Sequence, residues 1–142
     1  MTWHWLVTLH ALPTWFLCGL IWFVQIVHYP LFQAVGQAAF QDYERRHCQR
    51  VSFVVLPTML AELVLTVWVW FAAPAEWAAW SSLGLLLLGG VWASTFLLQV
   101  PCHDRLARSP DRKTMQRLVA TNWLRTAAWT GRGVVAAVLL AG

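Results

Sequence analysis

Four long apolar stretches alternate with polar ones along the chain, running roughly from Trp5 to Phe32, Val51 to Phe71, Trp80 to Val100 and Leu118 to Ala141. A helix needs ~20 apolar residues to cross the hydrocarbon of a bilayer, and each stretch reaches that length. The second and third are separated only by Ala72-Ala73-Pro74-Ala75-Glu76, which predicts a tight helical hairpin. The pattern therefore predicts an all-α fold in one domain spanning residues 1–142: an integral-membrane, antiparallel four-helix transmembrane bundle. The start Met-Thr-Trp-His-Trp lacks the positive charge of a signal peptide, so the first stretch is expected to remain as a span.

Composition agrees. The 142 residues are 59% hydrophobic and 11% charged, against about 45–50% and about 25% for a soluble domain. A small soluble fold cannot hide that excess, because much of its chain faces water. The ten Lys and Arg then set the orientation. Arg45, Arg46 and Arg50 lie between spans one and two, and Arg105, Arg108, Arg112, Lys113 and Arg117 between spans three and four. Positive loops stay in the cytoplasm, which predicts that both termini and the hairpin loop face outward. The net charge of +4 is thus a topology signal with some attraction for anionic headgroups. It does not point to nucleic acid, since no basic stripe with interleaved aromatics occurs. Trp3, Trp5, Trp77 and Trp80, among eleven tryptophans, fall where an interfacial belt is expected. Cys18, Cys48 and Cys102 form no disulfide framework and no CxxC motif. Nucleotide-binding and hydrolase motifs are absent from the sequence.

Ionisable residues inside spans are costly and normally face a partner. Glu62 in span two and Arg125 and Arg132 in span four are the candidates. At 1.5 Å per residue, Glu62 lies roughly 16 Å deep, between Arg125 at roughly 10 Å and Arg132 at roughly 21 Å. Glu62 is therefore expected to pair with one of the two. Asn122, Arg125, Thr126, Trp129, Arg132 and Gly133 recur at three- and four-residue steps and share one helix face. Thr58, Glu62 and Thr66 form a matching stripe. Interhelical bonding alone would explain both stripes; a buried polar cavity in which Glu62, Asn122 and Arg125 bind or protonate a substrate is the catalytic expectation.

Three histidines come from three segments that end on the cytoplasmic side. His28 and His103 close spans one and three within VHYP and QVPCHDRL, and His47 sits in the amphipathic stretch FQDYERRH, which is expected to extend span two as a helix below the membrane plane. Neutral imidazole is the commonest protein metal ligand, so His28, His47 and His103 are the expected metal or cofactor ligands. Their plain alternative is favourable contact with a helix C-terminus, with Pro30 and Pro101 merely stopping helices. Glu44 or Asp104 could orient an imidazole from behind. Adjacent residues diverge by about 100°, so His47 with Cys48, or His103 with Cys102, is not expected to share an ion. His10, a lone histidine near the outer end of span one, is expected to be structural.

The runs LHALPTWFLCGLIWFVQIVHYPLF, TFLLQVPCHDRL and LVATNWLRTAAWTGR resemble small bacterial four-span membrane proteins of the anthrone-oxygenase-like type. More distantly, they resemble the four-helix haem-associated protoporphyrinogen oxidase group. In that group an intramembrane His and a Lys are implied as functional. Here His10 is in the first span, but the sole lysine, Lys113, is in a loop, so no catalytic residue is carried over. The resulting expectation is a redox protein that uses a transition-metal ion or haem b on a lipophilic small molecule such as a quinone, aromatic or isoprenoid. Membrane lipid is its surroundings, and a homo-oligomer stays open. The rival is a non-enzymatic transporter, channel or assembly subunit with a structural Glu–Arg network.

Overall fold

The structure, a computed structural model, describes residues 2–142, with the backbone alone of residue 33. Among these residues there is no strand. Four helices follow one another: α1, Trp3–Leu31; α2, Gln37–Ala72; α3, Ala75–Arg108; and α4, Arg112–Ala141. By length and composition α1, α2 and α3 are apolar enough to cross a membrane. The fourth is as long but carries Arg125, Arg132 and Asn122 along one face.

The helices run past the expected span limits. The second begins at Gln37 rather than near Val51, and the third continues beyond Val100 to Arg108. Polar sequence does not stop a helix when its inward face stays apolar, as Phe40, Leu106 and Leu118 do here. The breaks come where backbone chemistry demands them. Ala73-Pro74 turns α2 into α3 in extended backbone. Asp111 caps α4 by accepting from the Thr114 amide at 2.8 Å, which satisfies a donor that a helix start leaves free.

Two prolines reshape helices instead of ending them. Proline lacks an N–H and its ring crowds the carbonyl four residues back. Just ahead of Pro30 and Pro101, Val24–His28 and Thr95–Gln99 shift to the wider π register, with Tyr29 N–H bonding to Val24 O and Val100 N–H to Thr95 O. Such bulges rotate the turn that follows and recur at functional sites. Tyr29 follows the first bulge directly and His103 comes one turn after the second, and the Tyr29 hydroxyl lies 3.0 Å from His103 Nε2.

Contacts fix the arrangement. The first helix packs against α2 and α4, and α3 against α4 and α2. Trp15 Nε1 donates to Gly133 O at 3.1 Å, Trp22 Nε1 to Thr130 Oγ1 at 3.0 Å and Gln25 Nε2 to Val119 O at 3.3 Å. Rising numbers in α1 thus meet falling numbers in α4. Three apolar layers stack along the helices. Leu6, Val7, Val69 and Leu139 form the layer at the termini, Leu17, Met59, Leu88 and Trp129 the middle one, and Tyr29, Phe32, Phe40 and Leu106 the far one.

Candidate functional site

Two polar centres interrupt these layers. The first is sealed. Glu62 is fully buried and Arg132 is 1% exposed. The Arg132 guanidinium donates to Glu62 Oε1 through Nε and Nη2, to Thr66 Oγ1 at 2.7 Å and to Gly84 O. Thr14 Oγ1 also donates to Glu62 Oε1, at 2.7 Å. Glu62 therefore takes Arg132, not Arg125, as its partner. His10 is not isolated, since its Nε2 accepts from Arg132 Nη2 at 3.1 Å and lies 3.6 Å from Glu62 Oε1.

The second centre lies in the far layer, where the three predicted histidines meet. His28 Nε2 and His47 Nδ1 are 3.0 Å apart. The His28 and His47 rings are 4.6 Å apart between centroids, and those of His47 and His103 5.6 Å. They form a row rather than a ring around one point. His103 is doubly engaged: Nδ1 is 2.5 Å from Glu44 Oε1 and Nε2 is 3.0 Å from the Tyr29 hydroxyl. Glu44 is fully buried, its Oε2 has no partner, and Cys48 Sγ donates to its Oε1 at 3.5 Å.

The donors that converge are thus Glu44, Cys48 and His103, with one ligand atom each within 4.8 Å of the others. Of the expected trio His28, His47 and His103, this set includes His103, with His47 and His28 beside it. Glu44 and Cys48 are four residues apart and so share a helix face, whereas His47 is turned by one residue toward His28. Glu44 stands within the cluster instead of behind it, and Asp104 makes no hydrogen bond to an imidazole among the described residues. A signal for Glu44 was present: Phe40, Glu44, His47 and Val51 follow the three- and four-residue spacing of an inward helix face.

Between this cluster and the middle layer lies a cavity of about 350 Å³. Tyr29, His47, Cys48 and His103 line one end and Arg125 and Trp129 line it further in, while Leu17, Val55 and Met59 make much of the wall apolar. Of the expected catalytic residues only Arg125 reaches that wall. Glu62 is held by Arg132, and Asn122 is fully buried behind it, donating to Gln25 Oε1 at 2.8 Å.

No family model, no curated protein and no solved structure matches this chain. The chemistry has to be read from the arrangement alone. Glu44, His103 and Tyr29 make a continuous carboxylate–imidazole–phenol chain that ends at the cavity wall. A thiol, an imidazole and a carboxylate together offer sulfur, nitrogen and oxygen donors, a set that suits first-row transition ions better than Mg²⁺ or Ca²⁺.

Proposed function

We propose that the chain is a bacterial inner-membrane protein with both termini outside, folded as an antiparallel four-helix transmembrane bundle. Its cytoplasmic end would carry a transition-metal redox centre acting on a lipophilic substrate in the adjoining cavity. Membrane placement is supported by large apolar side chains facing outward, such as Phe53 at 81% and Leu86 at 73% exposed. Such a surface is costly in water and natural in lipid.

One observation carries the site: Glu44 is buried with an unpartnered oxygen, beside Cys48 and His103, which line an apolar cavity. A buried carboxylate oxygen without a donor is expensive, and a cation at that position would relieve it. Glu44, Cys48 and His103 are the ligands of this reading, with His47 and His28 next in line. His28 Nε2 and His47 Nδ1, 3.0 Å apart, stand beside this set. Rings this close leave no room for a porphyrin between them, which favours an ion over haem b. The ion would supply one-electron chemistry, while Tyr29 presents a hydroxyl to the substrate and the apolar wall excludes water.

Titration with Co²⁺ tests this reading. Wild-type protein should develop visible d–d bands saturating at one ion per chain, and Glu44→Ala and His103→Ala should abolish them while remaining folded. Bands unchanged in both variants would exclude the site. The doubly bonded His103 favours one other reading, in which the Tyr29–His103–Glu44 chain passes protons without a metal. A wild-type protein that binds no Co²⁺ would select it.

A further inference from the structure

One buried cation has no anion. Arg132 faces Glu62, and the surface residues Arg46 and Arg105 face Asp42 and Asp111. Arg125 is only 9% exposed, yet no carboxylate stands within salt-bridge distance of it among the described residues. Its Nη1 donates to Asn122 Oδ1 at 3.3 Å, and its Nε is buried with no acceptor. A neutral amide is a weak counterpart for a guanidinium, which forms its strong hydrogen bonds with anionic oxygens. An ionisable residue inside a span normally faces a partner or a polar cavity and is by default a candidate functional residue.

The neighbours hold this guanidinium in place. Gln25 Nε2 donates to Val119 O and Gln25 Oε1 accepts from Asn122 Nδ2. That leaves Asn122 Oδ1 as the acceptor for Arg125. The fork is therefore oriented by a fixed amide chain, and its side chain lines the cavity. The volume of about 350 Å³ lies at the lower end of the ~300–1,000 Å³ typical of single small ligands.

We propose that Arg125 anchors the acidic head of a lipophilic acid whose apolar body fills this cavity. The proposal rests on reading the cavity as the substrate site and is independent of any metal. The recognised chemistry is an anionic oxygen on an apolar body, found in the carboxylate of a fatty acid or in an ionised phenol or enol of an aromatic. Asn122 and Gln25 are positioning residues that aim the guanidinium.

The test uses full-length protein in non-ionic detergent with a chelator present, so that failure of the metal reading cannot affect it. Trp129 lines the cavity, and a bound bromine quenches its fluorescence. The probes are 12-bromododecanoate, its methyl ester and 6-bromo-2-naphthol, and the signal scored is the saturable quenching that Trp129→Phe removes. The acid should saturate at a concentration roughly tenfold or more below the ester, the scale of a charge-assisted hydrogen bond. Arg125→Gln should erase that preference and Arg125→Lys should keep part of it. Saturation by the carboxylate or by the naphthol then tells which source of anionic oxygen the site takes. Equal saturation by acid and ester in the wild type would overturn the proposal even if Arg125→Gln failed to fold. So would an acid preference that survives Arg125→Gln.

Discussion

Replacing Glu62 with leucine removes the only anion, among the described residues, beside a guanidinium that is 1% exposed. Breaking a buried ion pair from one side costs about 3–5 kcal/mol, because the remaining charge stays desolvated. Three neutral acceptors remain for Arg132, namely Gly84 O, Thr66 Oγ1 and His10 Nε2. They keep the expected cost of Glu62→Leu near the lower end, ~3 kcal/mol. Arg132→Met alone strands the Glu62 carboxylate, to which Thr14 still donates, and should cost a similar ~3 kcal/mol. Removing both charges is different, since an apolar replacement of a whole buried pair is often neutral. The double variant then loses the Arg132 bonds to Gly84, Thr66 and His10 and the Thr14 bond to Glu62, and bonds of this kind between membrane helices average ~0.6 kcal/mol. It should be more stable than either single variant, with a coupling energy of at least ~2 kcal/mol. Reversible unfolding by SDS in mixed micelles, followed by far-UV circular dichroism, measures all four corners of the cycle. Additive costs within ~0.5 kcal/mol would refute the pairing. The same cycle between Glu62 and Arg125→Met should show no such coupling.

Helix contact at Gly84 is tight, for a Cβ there would meet Val135 Cγ1 at 3.3 Å, while Gly89 has open space around it. Gly84→Leu should therefore destabilise by about 1–3 kcal/mol, as overpacking does, and Gly89→Leu should not, in the same SDS assay. The Asp111 carboxyl is held below its usual range by hydrogen bonds from the Thr114 side chain and amide, with Arg105 adding to the effect. A depressed folded-state pKa gives stability that is present above the unfolded value and lost as pH falls through the folded one. The first turn of α4 should thus fray below about pH 4, seen as lower protection of the Thr114 amide relative to its intrinsic exchange rate, and Asp111→Ala should show that low protection at neutral pH. Protection that stays constant through this pH range in the wild type would contradict the cap.

The apolar runs placed all four helices, since long hydrophobic stretches bounded by charge have few other solutions. Their limits were not legible in the same way. The amphipathic stretch Phe40–His47 reads as a helical extension of span two, and α2 does run through it, starting at Gln37. Residues 101–108 read as a loop because they are charged, yet they continue α3 with an apolar inward face that includes Leu106. The His28, His47 and His103 convergence followed from a depth argument alone, because each helix end must lie near one plane. Depth carries no rotation, however, and rotation decides which side chains touch. It separated Arg125 from Glu62, turned His47 toward His28 and brought Glu44 and Cys48 to His103. The π-turns ahead of Pro30 and Pro101 supply part of that rotation, and a proline in the sequence does not by itself tell a stopped helix from a shifted register.

In the proposed function the Glu44, Cys48 and His103 cluster holds a redox-active metal ion. The most direct test is the metal content, by plasma mass spectrometry, and the visible spectrum of protein purified in mild detergent without added metal or chelator. One iron or copper per chain, with no Soret band, is the predicted result, falling to background in Glu44→Ala. Metal-free, colourless protein in the wild type, or a metal content that Glu44→Ala leaves unchanged, would contradict it.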